Sequence, residues 1–466
     1  ILIESKERIE AWKQKLLGAL GDNAKVITDV IPQLKTVIGE PPEVPELGPE
    51  ESENRFLHVC KNFLHVFTTF DHPLVLVLDD LQWADLASLN LIQNFALTLE
   101  EGHLLFIGIY RDNEIYEDHP LSKAMTNIIT YSHMRMENIY IQPLDRDSVK
   151  RLLSKFLRME KEAVASLADI IHEKTNGNPF FVNQFMKTLY EKQILEIASN
   201  GKWTWDAQAI QNMQVTDNVV DLMVQKIKDI SPEAQEVLKV GSCMGNRFDL
   251  ETLCIIKDKN PDQMLGDMKD ALNAGLVYFE QVMCYFLHDR IQEAAYSLTS
   301  EQEKIKFHYF IGSYTYQNTA EEDLLDKIFY IVNHLDIGIS QVASAKEKSE
   351  IAHLNLLAGQ KAKSSGAFHS TLSYILVGLS LLRESDWENN YNLMHELYIN
   401  AAEAFYLNAD FAQMENYIQK VLQKSKTYLD KIKAYEIIIQ AYIAQNRLIE
   451  AVQTTKDILS SLGIKL

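Results

Sequence analysis

Cysteine is scarce. Four in 466 residues, Cys60, Cys243, Cys254 and Cys284, form neither a CxxC pair nor a metal-ligand spacing. This excludes a disulfide scaffold and a zinc module, and the four read as reduced core thiols of a cytosolic protein. Long apolar runs are missing too: none approaches the about 18 residues that a membrane helix needs, and no leader-like segment opens the chain. Positive charge is short, with 45 Lys and Arg against 65 Asp and Glu, a net charge of −20 and a pI near 5.1. That balance argues against nucleic acid or an anionic membrane as a general partner. The length exceeds what one core can serve and predicts three or four domains. The first residue is Ile1 rather than Met, which predicts that the numbering opens inside a longer polypeptide.

What stands out instead is Pro73-Leu74-Val75-Leu76-Val77-Leu78-Asp79-Asp80. Five aliphatic residues between a proline and two aspartates predict a short strand buried on both faces of a parallel sheet. The carboxylates fall at its carboxyl end, the edge where open α/β sheets bind ligands. In P-loop NTPases this pattern is the Walker B strand, in which Asp79 would hold Mg²⁺ and Asp80 would orient the attacking water. The same two residues could equally end a strand and lead into a helix. After Leu81-Gln82-Trp83-Ala84, Asp85 is placed to cap a helix from Leu86 to about Leu99. A second strand, Leu104 to Tyr110, ends on Arg111. Strand, helix, strand is a βαβ unit, and it brings Arg111 beside Asp79, where a cation could sense a γ-phosphate.

One expected neighbour is absent. A phosphate loop needs Gly-x-x-x-x-Gly-Lys-Ser/Thr, yet the only Gly-Lys pair is Gly201-Lys202, followed by Trp203. Since the loop's strand normally precedes Walker B, its predicted place is upstream of Ile1, and residues 1–466 alone are expected to be inactive. Residues 1 to about 70 read as helical, with one helix through Ile9, Trp12, Leu16 and Leu20, a second from about Asn23 to Gly39 kinked at Pro32, and a third from Glu50 to Phe67.

Beyond Arg111, Met136 to Ile141 reads as a third strand. Asp145 caps a helix to Leu157, and another runs from Lys161 to Thr175. Asn176-Gly177-Asn178-Pro179 then turns the chain into a helix from Val182 to Lys192, with Gly177 as the C′ residue. A hairpin turn is expected at Ser199-Asn200-Gly201. Residues 217–300 predict short helices followed by strands Leu276–Glu280 and Met283–Leu287, the order of a winged helix. Its would-be recognition helix, Gln263 to Asp270, carries two acids and one lysine, against DNA readout. From Glu301 onward everything reads as helix. Segments 351–382, 393–422 and 432–459 are alike, each a helix, a turn and a second helix, as in a TPR-like α-solenoid with a partner-binding surface. An irregular helical bundle is the alternative.

Taken together, LVLVLDDLQWADLASL, FIGIYRDNE, TNGNPFFVNQF and YFLHDRIQEAAY, in this order, resemble the STAND-class AAA-type ATPase region of large bacterial signalling proteins, where it lies between a serine/threonine kinase domain and sensor and histidine kinase modules. The resemblance spans nearly the whole chain and departs from the family in lacking Walker A. It implies an α/β partial P-loop NTPase sheet followed by mostly α structure: an ATPase core over 1–145, a helical lid over 146–216, a winged helix over 217–300 and TPR-like repeats over 301–466. It implies ATP or ADP with Mg²⁺ as cofactors. Asp79 and Asp80 would be the Walker B pair and Arg111 the sensor arginine; Pro179 would pack on adenine, and His288 would contact the β-phosphate in a closed, ADP-bound form. His288 read by itself could be a satisfied polar residue at a strand end. Other domains of the polypeptide and a protein docked on the repeats are the implied partners. A nucleotide-free scaffold and a winged-helix transcription regulator are the competing functions.

Overall fold

The structure is a computed structural model and describes all residues except 1–2, 46, 48, 71, 99–102, 117–118, 133–135, 200, 214–218 and 462–466. The chain divides into two compact units, one of residues 1–136, 319–336 and 342–466 and the other of residues 137–318 and 337–341.

The first unit holds the two parallel strands of the predicted βαβ unit. β1 (Leu74–Leu78) pairs in parallel with β2 (Leu104–Gly108), with Leu74 opposite Leu104 and Leu78 opposite Gly108. The helix Leu86–Thr98 connects them, and Asp85 caps it as the sequence predicts, accepting from the Ser88 N–H at 2.7 Å. Helices Lys6–Leu20 and Pro49–His65 pack on this unit through a core that includes Leu16, Leu20, Val59 and Phe95. The single kinked helix expected over 23–39 is instead broken into Ala24–Thr28, a 3₁₀ turn at Pro32–Leu34 and Lys35–Ile38. Pro32 supplies no N–H to carry a helix through.

Two expectations for the sheet fail for one reason. β1 is not buried on both faces: its exposure alternates, and Val75 and Val77 are each more than half exposed. Leu105 and Ile107 of β2 share that open face. Residues 136–141 form no strand and are exposed. A strand needs a hydrogen-bonded neighbour, and a parallel sheet needs layers on both faces. Among the described residues β1 and β2 pair only with each other.

The carboxyl-terminal part of this unit repeats one device three times. Helix pairs Ala345–Ser364 and Phe368–Ser380, Tyr391–Leu407 and Phe411–Lys424, and Ile432–Ala444 and Leu448–Ser461 follow one another. In each turn one residue, Gly366, Ala409 or Asn446, has positive φ. The next N–H returns to the carbonyl five residues earlier: Ala367 to Ala362 at 3.0 Å, Asp410 to Phe405 at 2.9 Å and Arg447 to Tyr442 at 2.8 Å. This is a Schellman-type closure. Small residues lie where the helices cross, and a Cβ on Gly359 would meet Ile375 Cδ1 at 2.6 Å.

Ahead of the pairs, on the helix Leu324–Ile337, Asp336 accepts a hydrogen bond from Asn355 Nδ2 at 2.9 Å. Burial pushes the Asp336 carboxyl up to about 6. The folded state therefore holds this proton more tightly than the unfolded chain, whose aspartate titrates near about 3.9. The associated stability is complete below about pH 4 and is lost as pH rises through about 6, roughly 3 kcal/mol in all. Thermal unfolding at pH 5 and pH 7 should show a smaller pH difference in Asp336→Asn than in the wild type, with the variant melting higher at pH 7.

In the second unit, helices Arg146–Leu157, Ala165–Thr175 and Pro179–Glu191 surround Leu153, Ile171 and Phe185. The antiparallel hairpin of β3 (Leu195–Ile197) and β4 (Trp203–Trp205) follows. Gly201-Lys202 lies in this hairpin, where the Ala198 N–H donates to the Lys202 carbonyl at 2.8 Å, and so forms no phosphate loop. Asn200 of the expected turn is outside the described residues. Helices Val219–Lys228, Pro232–Met244, Leu250–Lys257 and Pro261–Asn273 come next. They share a core with a three-stranded antiparallel sheet in which β7 (Met283–Phe286) lies between β5 (Arg247–Asp249) and β6 (Val277–Glu280). β5 was not legible as a strand. All four cysteines are buried, and burial pushes the thiols of Cys60, Cys243 and Cys284 up to about 12. No helix among the described residues is long and apolar enough to cross a membrane.

Candidate functional site

At the carboxyl edge of the two parallel strands the chain turns sharply. The Ile109 N–H bonds the Leu78 carbonyl at 2.8 Å and the Leu81 N–H bonds the Ile109 carbonyl at 3.0 Å, which ties the two strand ends together. Between them Asp80 takes a left-handed conformation, φ 56° and ψ 41°, uncommon for a residue with a side chain though tolerated by aspartate. A 3₁₀ turn, Leu81–Trp83, follows. Gly108 leaves room for it, since a Cβ there would meet Leu81 Cδ1 at 2.7 Å.

Asp79, Asp80 and Arg111 meet at this edge. Asp79 is exposed and accepts the Asp80 N–H at 2.9 Å; among the described residues no cation pairs with it. Asp80 Oδ1 accepts from Gln82 Nε2 at 2.8 Å and lies 3.6 Å from Arg111 Nε. The Gln82 side chain also accepts the Arg111 N–H at 3.2 Å, so one buried amide joins the two strand ends. Arg111 Nη1 donates to Glu114 Oε1 at 3.1 Å, while Glu114 Oε2 accepts from Trp83 Nε1 at 3.2 Å. The guanidinium stands 5.2 Å from the centre of the Trp83 ring. Gln82, Trp83 and Glu114 were not singled out as site residues, although all three lie inside the quoted motifs.

No group of three or more His, Cys, Asp or Glu side chains that could hold a metal occurs among the described residues, so these residues offer no cage made of protein alone. Mg²⁺ is commonly held through one or two carboxylates together with phosphate oxygens and water. An exposed Asp79 at a strand end, with no cation on it among the described residues, suits that donor set.

Pro179 and His288 lie in the second unit. Asn176 and Gly177 both have positive φ, and the Asn178 side chain caps the next helix by accepting from the Phe180 and Phe181 N–H groups at 3.0 and 3.2 Å. Pro179 occupies the first helical position, where its missing N–H costs nothing. The Gly177 carbonyl accepts the Leu144 N–H at 2.8 Å, and a Cβ on Gly177 would sit 2.0 Å from the Leu144 carbonyl oxygen. Gly177→Ala thus meets both a left-handed φ and a backbone clash, and should destabilise this unit by roughly 2–4 kcal/mol in a denaturant titration.

His288 precedes the helix Asp289–Ser297 and caps it, with Nδ1 facing the Arg290 N–H at 3.2 Å. The Asp289 carboxylate also touches Nδ1. Only a lone pair on Nδ1 serves the cap, whereas only a proton there serves the carboxylate. The ring rests on Phe180, centroids 4.2 Å apart, so the residue after Pro179 packs on His288. His288 is partly exposed, and as a helix cap just after a strand end it also fits the satisfied polar residue that the sequence offers as the alternative.

The AAA ATPase domain family matches residues 1–107, a span that includes Asp79 and Asp80 and ends inside β2. Hybrid signal transduction histidine kinase G of Dictyostelium discoideum is 27% identical over 597 residues, covering 100% of this chain and 17% of that protein. Peroxide stress-activated histidine kinase mak2 of Schizosaccharomyces pombe (strain 972 / ATCC 24843) is 20% identical over 434 residues, covering 88% of this chain and 18% of that protein. The chain thus spans less than a fifth of the length of these relatives. Among solved structures, a signal transduction ATPase with numerous domains and a tetratricopeptide repeat sensor from Pyrococcus horikoshii aligns at a TM-score of 0.41 and 12% identity, over 88% of this chain and 59% of that one. The sequence resemblance is met at this level: residues 1–107 match the AAA ATPase domain family, and the relatives matched along the chain are histidine kinases.

Proposed function

We propose that this chain is the nucleotide-responsive switch of a cytoplasmic multidomain signalling kinase, bound by ATP or ADP with Mg²⁺ and read out through its helix pairs. The observation that carries this reading is the meeting of Asp79, Asp80 and Arg111 at the carboxyl ends of adjacent parallel strands. In this reading β1 is the Walker B strand, residues 146–216 are the lid, 217–300 the winged helix and 301–466 TPR-like repeats that dock a protein partner. Mg²⁺ on the nucleotide would neutralise phosphate charge and polarise the γ-phosphoryl group. Asp79 would hold the ion. Asp80, oriented by Gln82, would position the attacking water and take its proton. Arg111 would report whether a γ-phosphate is present, Pro179 would pack on the adenine, and His288 would donate to the β-phosphate and hold the closed state. The output is then a population shift between two packings.

A scaffold without nucleotide stays in play because Gly201-Lys202, the only Gly-Lys pair of the chain, lies in a hairpin. Calorimetry on the full-length polypeptide separates the two readings. Asp79→Ala should abolish the Mg²⁺ dependence of ATP binding, and an affinity indifferent to Mg²⁺ in the wild type would favour the scaffold.

A further inference from the structure

Trp83 is 63% exposed, yet its indole N–H is engaged. Its turn follows β1, whereas Glu114 lies on the turn after β2. Glu114 spans the two, with one oxygen on the Trp83 indole N–H at 3.2 Å and the other on Arg111 Nη1 at 3.1 Å. Arg111 meanwhile faces Asp80 through Nε at 3.6 Å. Two carboxylates therefore share one guanidinium through different nitrogens, and the indole face lies against it. The two contacts differ in kind. The Glu114 bond is within ordinary hydrogen-bond length, whereas the Asp80 contact is beyond it and can be given up more easily.

We propose that Glu114 and Trp83 are positioning residues that anchor Arg111 while it exchanges Asp80 for the γ-phosphate. This rests on the nucleotide reading above and extends it to two residues with no assigned role. In the structure Arg111 sits against Asp80 and screens the carboxylate expected to take the proton. When a γ-phosphate competes for Nε, the anchor keeps the guanidinium at the sheet edge, so that Asp80 is released as Arg111 engages. Positioning of this kind spares the reorganisation that a free arginine would need. ADP lacks the competing group and leaves the Asp80 contact in place.

The test uses the full-length polypeptide labelled with 5-fluorotryptophan, the Trp83 resonance being assigned through Trp83→Phe. Glu114→Gln and Arg111→Gln should each move this resonance in the nucleotide-free protein, because each takes the guanidinium off the ring. In the wild type, adenylyl imidodiphosphate with Mg²⁺ should shift it and ADP with Mg²⁺ should not. Glu114→Gln should weaken the imidodiphosphate analogue about fivefold, the size of a partly exposed ion pair, and leave ADP affinity unchanged. An unmoved resonance in Glu114→Gln, or equal weakening of both nucleotides, overturns the anchor while nucleotide binding itself stands. Failure of wild-type protein to bind either nucleotide overturns the proposed function and the exchange with it.

Discussion

Asp80→Ala in the full-length polypeptide should slow single-turnover ATP hydrolysis by about 10² to 10⁴-fold, the range for loss of a positioned general base, while ATP·Mg²⁺ affinity stays within a few fold of wild type. The geometry behind this is the bend after Leu78, which aims Asp80 away from the strand axis while Gln82 fixes Oδ1 at 2.8 Å. Because Asp80 also holds a left-handed φ of 56°, alanine adds a backbone cost of its own. Asp80→Asn is the control: asparagine tolerates the same conformation but cannot take a proton. A rate as low in Asn as in Ala assigns the loss to the missing base. Hydrolysis at the wild-type rate in both would leave Asp80 a turn residue that orders the edge of the sheet.

His288→Ala should shift the closed-to-open ratio roughly ten- to a hundredfold toward open, from loss of a charge-assisted hydrogen bond worth about 1.5–3 kcal/mol. ADP release from the full-length polypeptide, followed by stopped flow, should be faster, and the output of an attached kinase higher. Two contacts complicate the substitution. His288 caps the helix Asp289–Ser297 and packs on Phe180, so some thermal stability will be lost as well. His288→Asn separates the effects, since asparagine is a good helix cap. Restored stability with ADP release still fast supports the switch; unchanged release with only a lowered melting temperature would make His288 a packing residue.

The local features were legible because each is written within a few residues. The aliphatic run bounded by Pro73 and Asp79 placed β1 where it occurs, and Asp85 marked its helix. The turns at 364–366, 408–410 and 445–447 were visible from their small and polar residues, and each contains the left-handed residue that closes a helix pair. What failed depends on neighbours that a strand's own sequence cannot declare. Val75 and Val77 look like core residues, and Ile139 and Ile141 look like a strand, but burial and pairing require a further strand and a covering layer. Glu114 was missed for a similar reason. It reads as a surface acid in Arg111-Asp112-Asn113-Glu114, and its importance comes from Trp83, which is 31 residues away in sequence and on the neighbouring strand's turn.

A nucleotide switch of this kind should keep its nucleotide through purification. Full-length polypeptide purified without added nucleotide, then denatured and resolved by ion-exchange chromatography, should release close to one equivalent of adenine nucleotide, mostly ADP, with much less from Asp79→Ala. Nucleotide-free protein that also fails to take up ATP·Mg²⁺ in calorimetry would contradict the account and leave the helix pairs as a scaffold.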